Sequence, residues 1–187
     1  MATRMPRLKS QFAMLIIKPE AVYFEGVVKD YLFDRSFDVR RRYEVFLPEE
    51  KLRQVYQNVT DSSWIGLDRY VSYMASVPTV TLFLVYEKCT HDAQAVLKSF
   101  IGDKNPTQAP ADSLRGVLRG LMENKILSTM INGAVIKKEN IVKYGSLLYV
   151  ENGDFWLNAV HAPNNSHEAG GEALALFGKD IRDFLTQ

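Results

Sequence analysis

The sequence predicts an α+β domain with helices on one face of a small, largely antiparallel sheet. Three observations carry that prediction. Apolar runs of strand length alternate with segments of 3.6-residue periodicity. Two late strand-forming stretches carry Asn-Gly between apolar runs, the pattern of tight hairpins. The 187 residues, 47% of them hydrophobic with ten Phe and nine Tyr, supply a single sizeable core.

Phe12 to Ile17 is a continuous apolar run of buried-strand length, and Lys18-Pro19 ends it because proline cannot donate to a ladder. Any functional group placed after Ile17 therefore sits at a strand end. From Gly26 to Phe37, Val27, Val28, Tyr31, Leu32 and Phe33 recur near a helical period. Val39, Tyr43, Val45 and Leu47 then alternate as a second strand that stops at Pro48. Pro48 followed by two glutamates opens a helix with Leu52, Val55, Tyr56 and Val59 on one face, and a further helix is expected from about Trp64 to Met74. "TVTLFLVYE" after Pro78 is β-branched and apolar enough for a central strand, and "DAQAVLKSFIG" is helical, closed by Gly102.

The stretch 102–116, "GDKNPTQAPADSLRG", holds two prolines between bounding glycines and is read as a long loop ending at Arg115. A short helix follows in "VLRGLMENKIL", then hairpins turning at Asn132-Gly133 and Asn152-Gly153. The second delivers the chain along Phe155 to Val160 straight into His161. Asn165 offers a helix N-cap with Glu168 three residues on, and Ala169, Ala173, Leu176 and Phe177 form the apolar stripe of a last helix.

Composition narrows the function. With 23 basic against 22 acidic residues there is no global field to hold nucleic acid or an anionic membrane, so any anion site is local. Cys89 is the sole cysteine, which excludes an internal disulfide and a thiolate zinc cluster and fits a reducing compartment. No apolar run approaches the roughly 18 to 20 residues of a spanning helix, and the first residues lack a signal-peptide core. Cytoplasmic is the expected location; Arg4, Arg7 and Lys9 leave a transit peptide as the alternative. The Gly-rich phosphate loops, the serine-hydrolase elbow and the His-Glu-x-x-His metal motif are all missing.

His161 follows an apolar strand and lies eleven residues before Glu172, which the last helix can bring back to the imidazole. A carboxylate on one ring nitrogen fixes the tautomer and raises the nucleophilicity of the other. Spacing alone favours a helix-entry histidine satisfied by nearby backbone. His167 falls among polar residues in the first helical turn and reads as surface. Lys18, Lys98, Lys104 and Arg115 are candidates for an anion pocket if the fold makes them converge, and are otherwise solvated surface charges.

Four segments together resemble the nucleoside diphosphate kinase family: "IIKPEAV", "VPTVTLFLVYE", "GDKNPTQAPADSLRG" and "NAVHAPNNSHEAGGEALALF". The resemblance runs from about Phe12 to Phe177, apart from an insertion. It implies a ferredoxin-like α+β fold and one domain over residues 1–187, with the insertion at about 117–155. It also implies ping-pong transfer of a γ-phosphoryl group from a nucleoside triphosphate such as ATP to a nucleoside diphosphate through a phosphohistidine on His161. Glu172 then corresponds to the carboxylate that orients the histidine, Tyr56 to a tyrosine hydrogen-bonded near it, Lys18 and Arg115 to phosphate ligands, and Asn158 to an asparagine near ribose and phosphate. Trp64 is the candidate for stacking on the base. Mg²⁺ is expected to arrive on the nucleotide phosphates with no protein metal site, and a homo-oligomer without membrane or nucleic-acid partners is implied.

The chain departs from the family pattern at several points. Lys98 stands where an arginine is usual and Lys104 where a threonine is usual; lysine keeps the charge and loses the bidentate fork. Ala162-Pro163 replaces the usual Gly-Ser after the histidine. The insertion can decorate the surface, build an interface or cover the site. These departures leave a rival reading: a catalytically impaired kinase-like domain that binds nucleotides or partners.

Overall fold

The computed structural model describes residues 11–56, 67–88, 92–105, 108–125, 141–144, 147–150 and 155–184. The apolar run opens it as β1 (Phe12–Ile17), and Lys18-Pro19 turns the chain into a 3-10 turn over Pro19–Phe24 that the periodicity had not indicated. Helix α1 (Glu25–Phe33) follows and ends four residues earlier than expected. Ser36, at φ 64°, reverses the chain, and Phe37 opens β2 (Phe37–Val45) instead of closing the helix. Next come α2 (Glu49–Tyr56), α3 (Leu67–Ser76), β3 (Thr79–Tyr86) and α4 (Ala93–Ile101). Helix α5 (Leu114–Lys125) precedes β4 (Ile141–Tyr144), β5 (Leu147–Val150) and β6 (Phe155–Trp156). The last elements among the described residues are β7 (Val160–His161), α6 (Ser166–Phe177) and a 3-10 turn at Ile181–Phe184.

Four strands form the main sheet in the order β2-β3-β1-β7, antiparallel throughout. β1 and β3 pair over six residues, from Phe12↔Val85 to Ile17↔Val80. A register shift between Val39 and Arg41 bulges β2 and accounts for its imperfect alternation. β1 is buried at every position from Ala13 to Ile17, so the sheet is covered on both faces, where the sequence reading placed helices on one. Met14 and Phe83 pack against Ala169 and Ala173 of α6 and against Ile181 and Phe184, with the Phe83 and Phe184 rings stacked at 4.0 Å. Ala13, Leu15, Leu82 and Leu84 join the larger cluster that includes Val28, Leu32, Val71 and Leu97.

β4, β5 and β6 make a separate antiparallel sheet, in which Val150, before the expected Asn152-Gly153 turn, pairs with Phe155 after it. That turn, the one at Asn132-Gly133, Cys89 and Trp64 lie outside the described residues. No helix among the described residues is long and apolar enough to cross a membrane.

Candidate active site

The expected single strand from Phe155 into His161 is broken in two. Ala159 takes φ 66°, and the Val160 N–H donates to the Asn158 carbonyl at 2.7 Å, so a three-residue turn separates β6 from β7. β7 then pairs with the end of β1 through Ile16↔His161 and Ile17↔Val160 only. Upstream of that pairing, Gln94 of α4 takes the place of a strand: the Met14 N–H donates to Gln94 Oε1 at 2.7 Å, and Gln94 Nε2 donates to the Met14 and Pro163 carbonyls. This satisfies an edge that would otherwise be a buried unpaired backbone.

α6 is set in place by two caps. Asn165 Oδ1 accepts the Glu168 N–H at 3.0 Å, as its sequence position predicts. Asp92, the N-cap of α4, also accepts the Ser166 N–H at 2.9 Å, tying the starts of two helices to one carboxylate. So anchored, α6 brings Glu172 Oε2 to 2.7 Å from His161 Nε2, with both side chains largely shielded. The carboxylate accepts, so the Nε2 nitrogen carries the proton and Nδ1 keeps its lone pair. Tyr56 of α2 meets the imidazole edge-on, at 5.3 Å between ring centroids, and shares a hydrogen bond with Tyr70 of α3 at 3.1 Å between hydroxyl oxygens. Burial holds both phenols above their ordinary pKa, so they are neutral donors.

Lys18 sits where β1 ends and is buried. Its ammonium donates to Asn158 Oδ1 and lies 5.0 Å from the centre of the Tyr70 ring. Burial lowers its pKa to about 8; Glu20 opposes the shift, and the neighbouring Arg115 and Lys98 charges add to it. Lys98 Nζ donates to the Ala162 carbonyl at 2.9 Å, one residue past the histidine, and its pKa too is lowered by burial and by Arg115.

Arg115 was expected to end the loop. Instead it lies in the first turn of α5, because the helix begins at Leu114. Its guanidinium is buried and donates to the carbonyls of Gly102 at 2.9 Å, Val160 at 3.0 Å and Asn158 at 3.3 Å. Three donors are thus committed to main chain, leaving two of the five for a ligand. Gly102 must be glycine: φ is 87°, and a Cβ would stand 2.3 Å from Ser113 Oγ. Asn158 Nδ2 donates to the Lys104 carbonyl at 3.0 Å, so Lys104 meets this cluster through its backbone on an exposed segment.

The fold therefore draws His161, Glu172, Tyr56, Lys18, Lys98, Arg115 and Asn158 into one region. Sequence reasoning missed Tyr70, Tyr73 and Glu20. Glu20 carried a faint signal, being an acid two residues beyond a buried lysine at a strand end. Tyr70 and Tyr73 fall inside the helix expected from about Trp64 to Met74, with nothing local to single them out.

An imidazole with one nitrogen held by a carboxylate and cations gathered around it is the setting of a phosphotransferase. Comparison with known proteins makes the class specific: the profile of the family "NDK: Nucleoside diphosphate kinase" matches residues 11–128, and the chain belongs to that family. The matched span holds Lys18, Tyr56, Lys98, Lys104 and Arg115 and stops short of Asn158, His161 and Glu172. No curated protein sequence matches the chain.

Solved structures share the fold at low identity. Nucleoside diphosphate kinase from Encephalitozoon cuniculi superimposes with a TM-score of 0.61 at 17% identity, covering 92% of each chain. A halophilic nucleoside diphosphate kinase from Halobacterium salinarum, in complex with CDP, gives a TM-score of 0.61 at 17% identity over 94% of this chain and 91% of the other. The Aquifex aeolicus nucleoside diphosphate kinase gives a TM-score of 0.59 at 18% identity, covering 88% and 93%.

Proposed function

We propose that this chain transfers the γ-phosphoryl group of a nucleoside triphosphate to a nucleoside diphosphate in two half-reactions through a phosphohistidine on His161. The single observation that carries the reading is the 2.7 Å contact of Nε2 with Glu172, which leaves Nδ1 as the nucleophile. In the first half-reaction the Nδ1 lone pair forms the N–P bond while the bond from the γ-phosphorus to the bridging oxygen breaks. The electron pair departs with the nucleoside diphosphate. The imidazolium charge that develops is stabilised by Glu172. In the second half-reaction a terminal oxygen of another diphosphate attacks the same phosphorus, and Nδ1 recovers its lone pair.

Lys18, Lys98, the free donors of Arg115 and the Asn158 amide are assigned to the phosphates, where charge develops in the transition state. Tyr56 supports the imidazole ring. Mg²⁺ comes as part of the nucleotide, and no protein side chains are assigned to hold it. Glu172 and Glu20 are engaged by His161 and by Ala159 with Tyr73. When bound, Mg²⁺ neutralises phosphate charge. The proposal extends to one domain over residues 1–187, with an insertion at about 117–155 that includes β4 and β5 and ends as β6 begins. It also extends to a cytoplasmic homo-oligomer.

Incubation with γ-labelled ATP and Mg²⁺, acid-sensitive trapping, and a chase with a different nucleoside diphosphate tests the reading. Label on His161 that passes to the new triphosphate is expected. His161→Ala is expected to abolish transfer while nucleotide binding survives. Unchanged turnover in that variant would sink the assignment, and binding without labelling of the parent chain would favour the impaired-kinase reading.

A further inference from the structure

We propose that Glu20 is a positioning residue whose carboxylate clamps the left-handed turn at Ala159, thereby setting Asn158 against Lys18 and His161 against Glu172. The inference rests on the assignment of those residues to phosphoryl transfer.

Ala159 adopts φ 66°, a region that residues bearing a Cβ occupy only when their surroundings impose it. It is buried, and its two main-chain groups are both taken by the segment that follows β1. Its N–H donates to Glu20 Oε1 at 3.1 Å, and its carbonyl accepts the Lys18 N–H at 2.9 Å. Asn158 precedes Ala159 by one residue and His161 follows it by two. Without an acceptor the Ala159 N–H would be an unpaired buried donor, and the turn would relax towards the extended region. Asn158 and His161, on either side of it, would then lose their fixed relation to each other.

Glu20 is itself immobilised. It is buried in the 3-10 turn fixed by Pro19, with the Ala21 N–H donating to the Lys18 carbonyl at 2.9 Å. Tyr73 of α3 holds it at both ends: the phenol donates to Glu20 Oε2 at 2.5 Å and its oxygen accepts the Glu20 N–H at 3.1 Å. Burial keeps that phenol protonated and able to donate. The clamp therefore runs from α3 through Glu20 to the turn, and does not itself touch the phosphates.

The test combines two readouts on the whole chain: hydrogen exchange of the Ala159 amide by NMR, and the rate of phosphoenzyme formation from ATP and Mg²⁺. In Glu20→Leu, Ala159 exchange is expected to accelerate and labelling to slow by about 10- to 100-fold, the size of effect that misplaced reacting groups produce. Glu20→Gln, whose amide oxygen still accepts the Ala159 N–H, is expected to recover most of both. Glu20→Leu combined with Ala159→Gly is expected to regain most of the labelling rate, because glycine adopts positive φ unaided. Loss of general stability alone would not be rescued in that way.

A folded Glu20→Leu variant with parental exchange or parental labelling would overturn the proposal, as would a double variant no faster than the single one. If Glu20→Leu fails to fold, Tyr73→Phe removes the hydroxyl of the clamp and is expected to move both readouts in the same direction; unchanged exchange there would also overturn it. A parent chain that protects the Ala159 amide yet forms no phosphoenzyme would refute the transfer chemistry and leave the clamp standing.

Discussion

Lys18 and His161 sit at the ends of neighbouring strands that are held in different ways. Lys18 extends β1, whose six residues pair with β3 and are buried from Ala13 to Ile17. His161 ends a strand of two residues, and most of what locates it comes from elsewhere: Glu172 on α6, Tyr56 on α2, Arg115 on the Val160 carbonyl and Glu20 on Ala159. The cation is placed by packing and the imidazole by polar contacts from distant segments. Packing is cooperative, so disturbing it affects the entire domain. A polar contact can be removed one at a time, so disturbing it affects chemistry first.

The largest expected effect lies on the packed side. Phe83 is fully buried and contacts Phe184 and Phe177. Phe83→Ala is expected to destabilise the fold by about 3–5 kcal/mol through lost burial and a residual cavity. Denaturant unfolding would report it, with activity falling in step with the folded fraction. A loss of activity without loss of stability would break the comparison. On the clamped side, Glu172→Ala is expected to slow labelling of His161 by about 100-fold with a much smaller change in stability. Stopped-time labelling beside a melting curve separates the two, and equal losses in both would show that Glu172 is part of the packing.

The pH response sharpens the contrast at Lys18, because its placement by packing also removes it from water. In the folded chain its ammonium releases its proton near pH 8, in the unfolded chain near the ordinary 10.5. Between those values the unfolded chain holds more protons, so the Lys18 contribution makes stability rise with pH. Over the same interval the charge that meets a phosphate disappears. Nucleotide affinity is therefore expected to fall above about pH 8 as this contribution to stability increases, and Lys18→Met is expected to flatten both profiles. Affinity that holds to pH 10 would show that the other cations suffice.

How much of this was legible in the sequence follows the same division. β1, β3 and α4 declare themselves through runs of apolar residues and a closing Gly102, because burial leaves a periodic imprint. The His161 and Glu172 pair was also within reach, since eleven residues across a helix start is a local relation. The sheet was expected to carry helices on one face because the second covering layer is thin: α6 and a four-residue turn at the end of the chain. Glu20 left only a faint local signal, and its role was out of reach. Its partners Tyr73 and Ala159 lie 53 and 139 positions away, and no periodicity links them. Arg115 was assigned to the right cluster through resemblance but to the wrong element, because Ser113 and Gly116 read as loop residues. Gly116 is in α5, where a Cβ would stand 2.0 Å from the Pro110 carbonyl oxygen, so glycine marks a close approach there and not a break.

Lys104 is the smallest expected effect and the one that probes how far the comparison extends. The sequence made its side chain a candidate for an anion pocket, whereas the structure joins it to the cluster by its carbonyl, which accepts the Asn158 amide on an exposed segment. A backbone contact survives a change of side chain. Lys104→Thr is therefore expected to change nucleotide affinity by no more than about twofold, the worth of a weak exposed charge, with its small residual salt dependence removed. Titration of the variant with a nucleoside diphosphate at low and high salt measures this directly. A loss of tenfold or more would mean that the ammonium reaches the phosphates after all, and that the exposed segment belongs with the polar half of the site instead of serving as its rim.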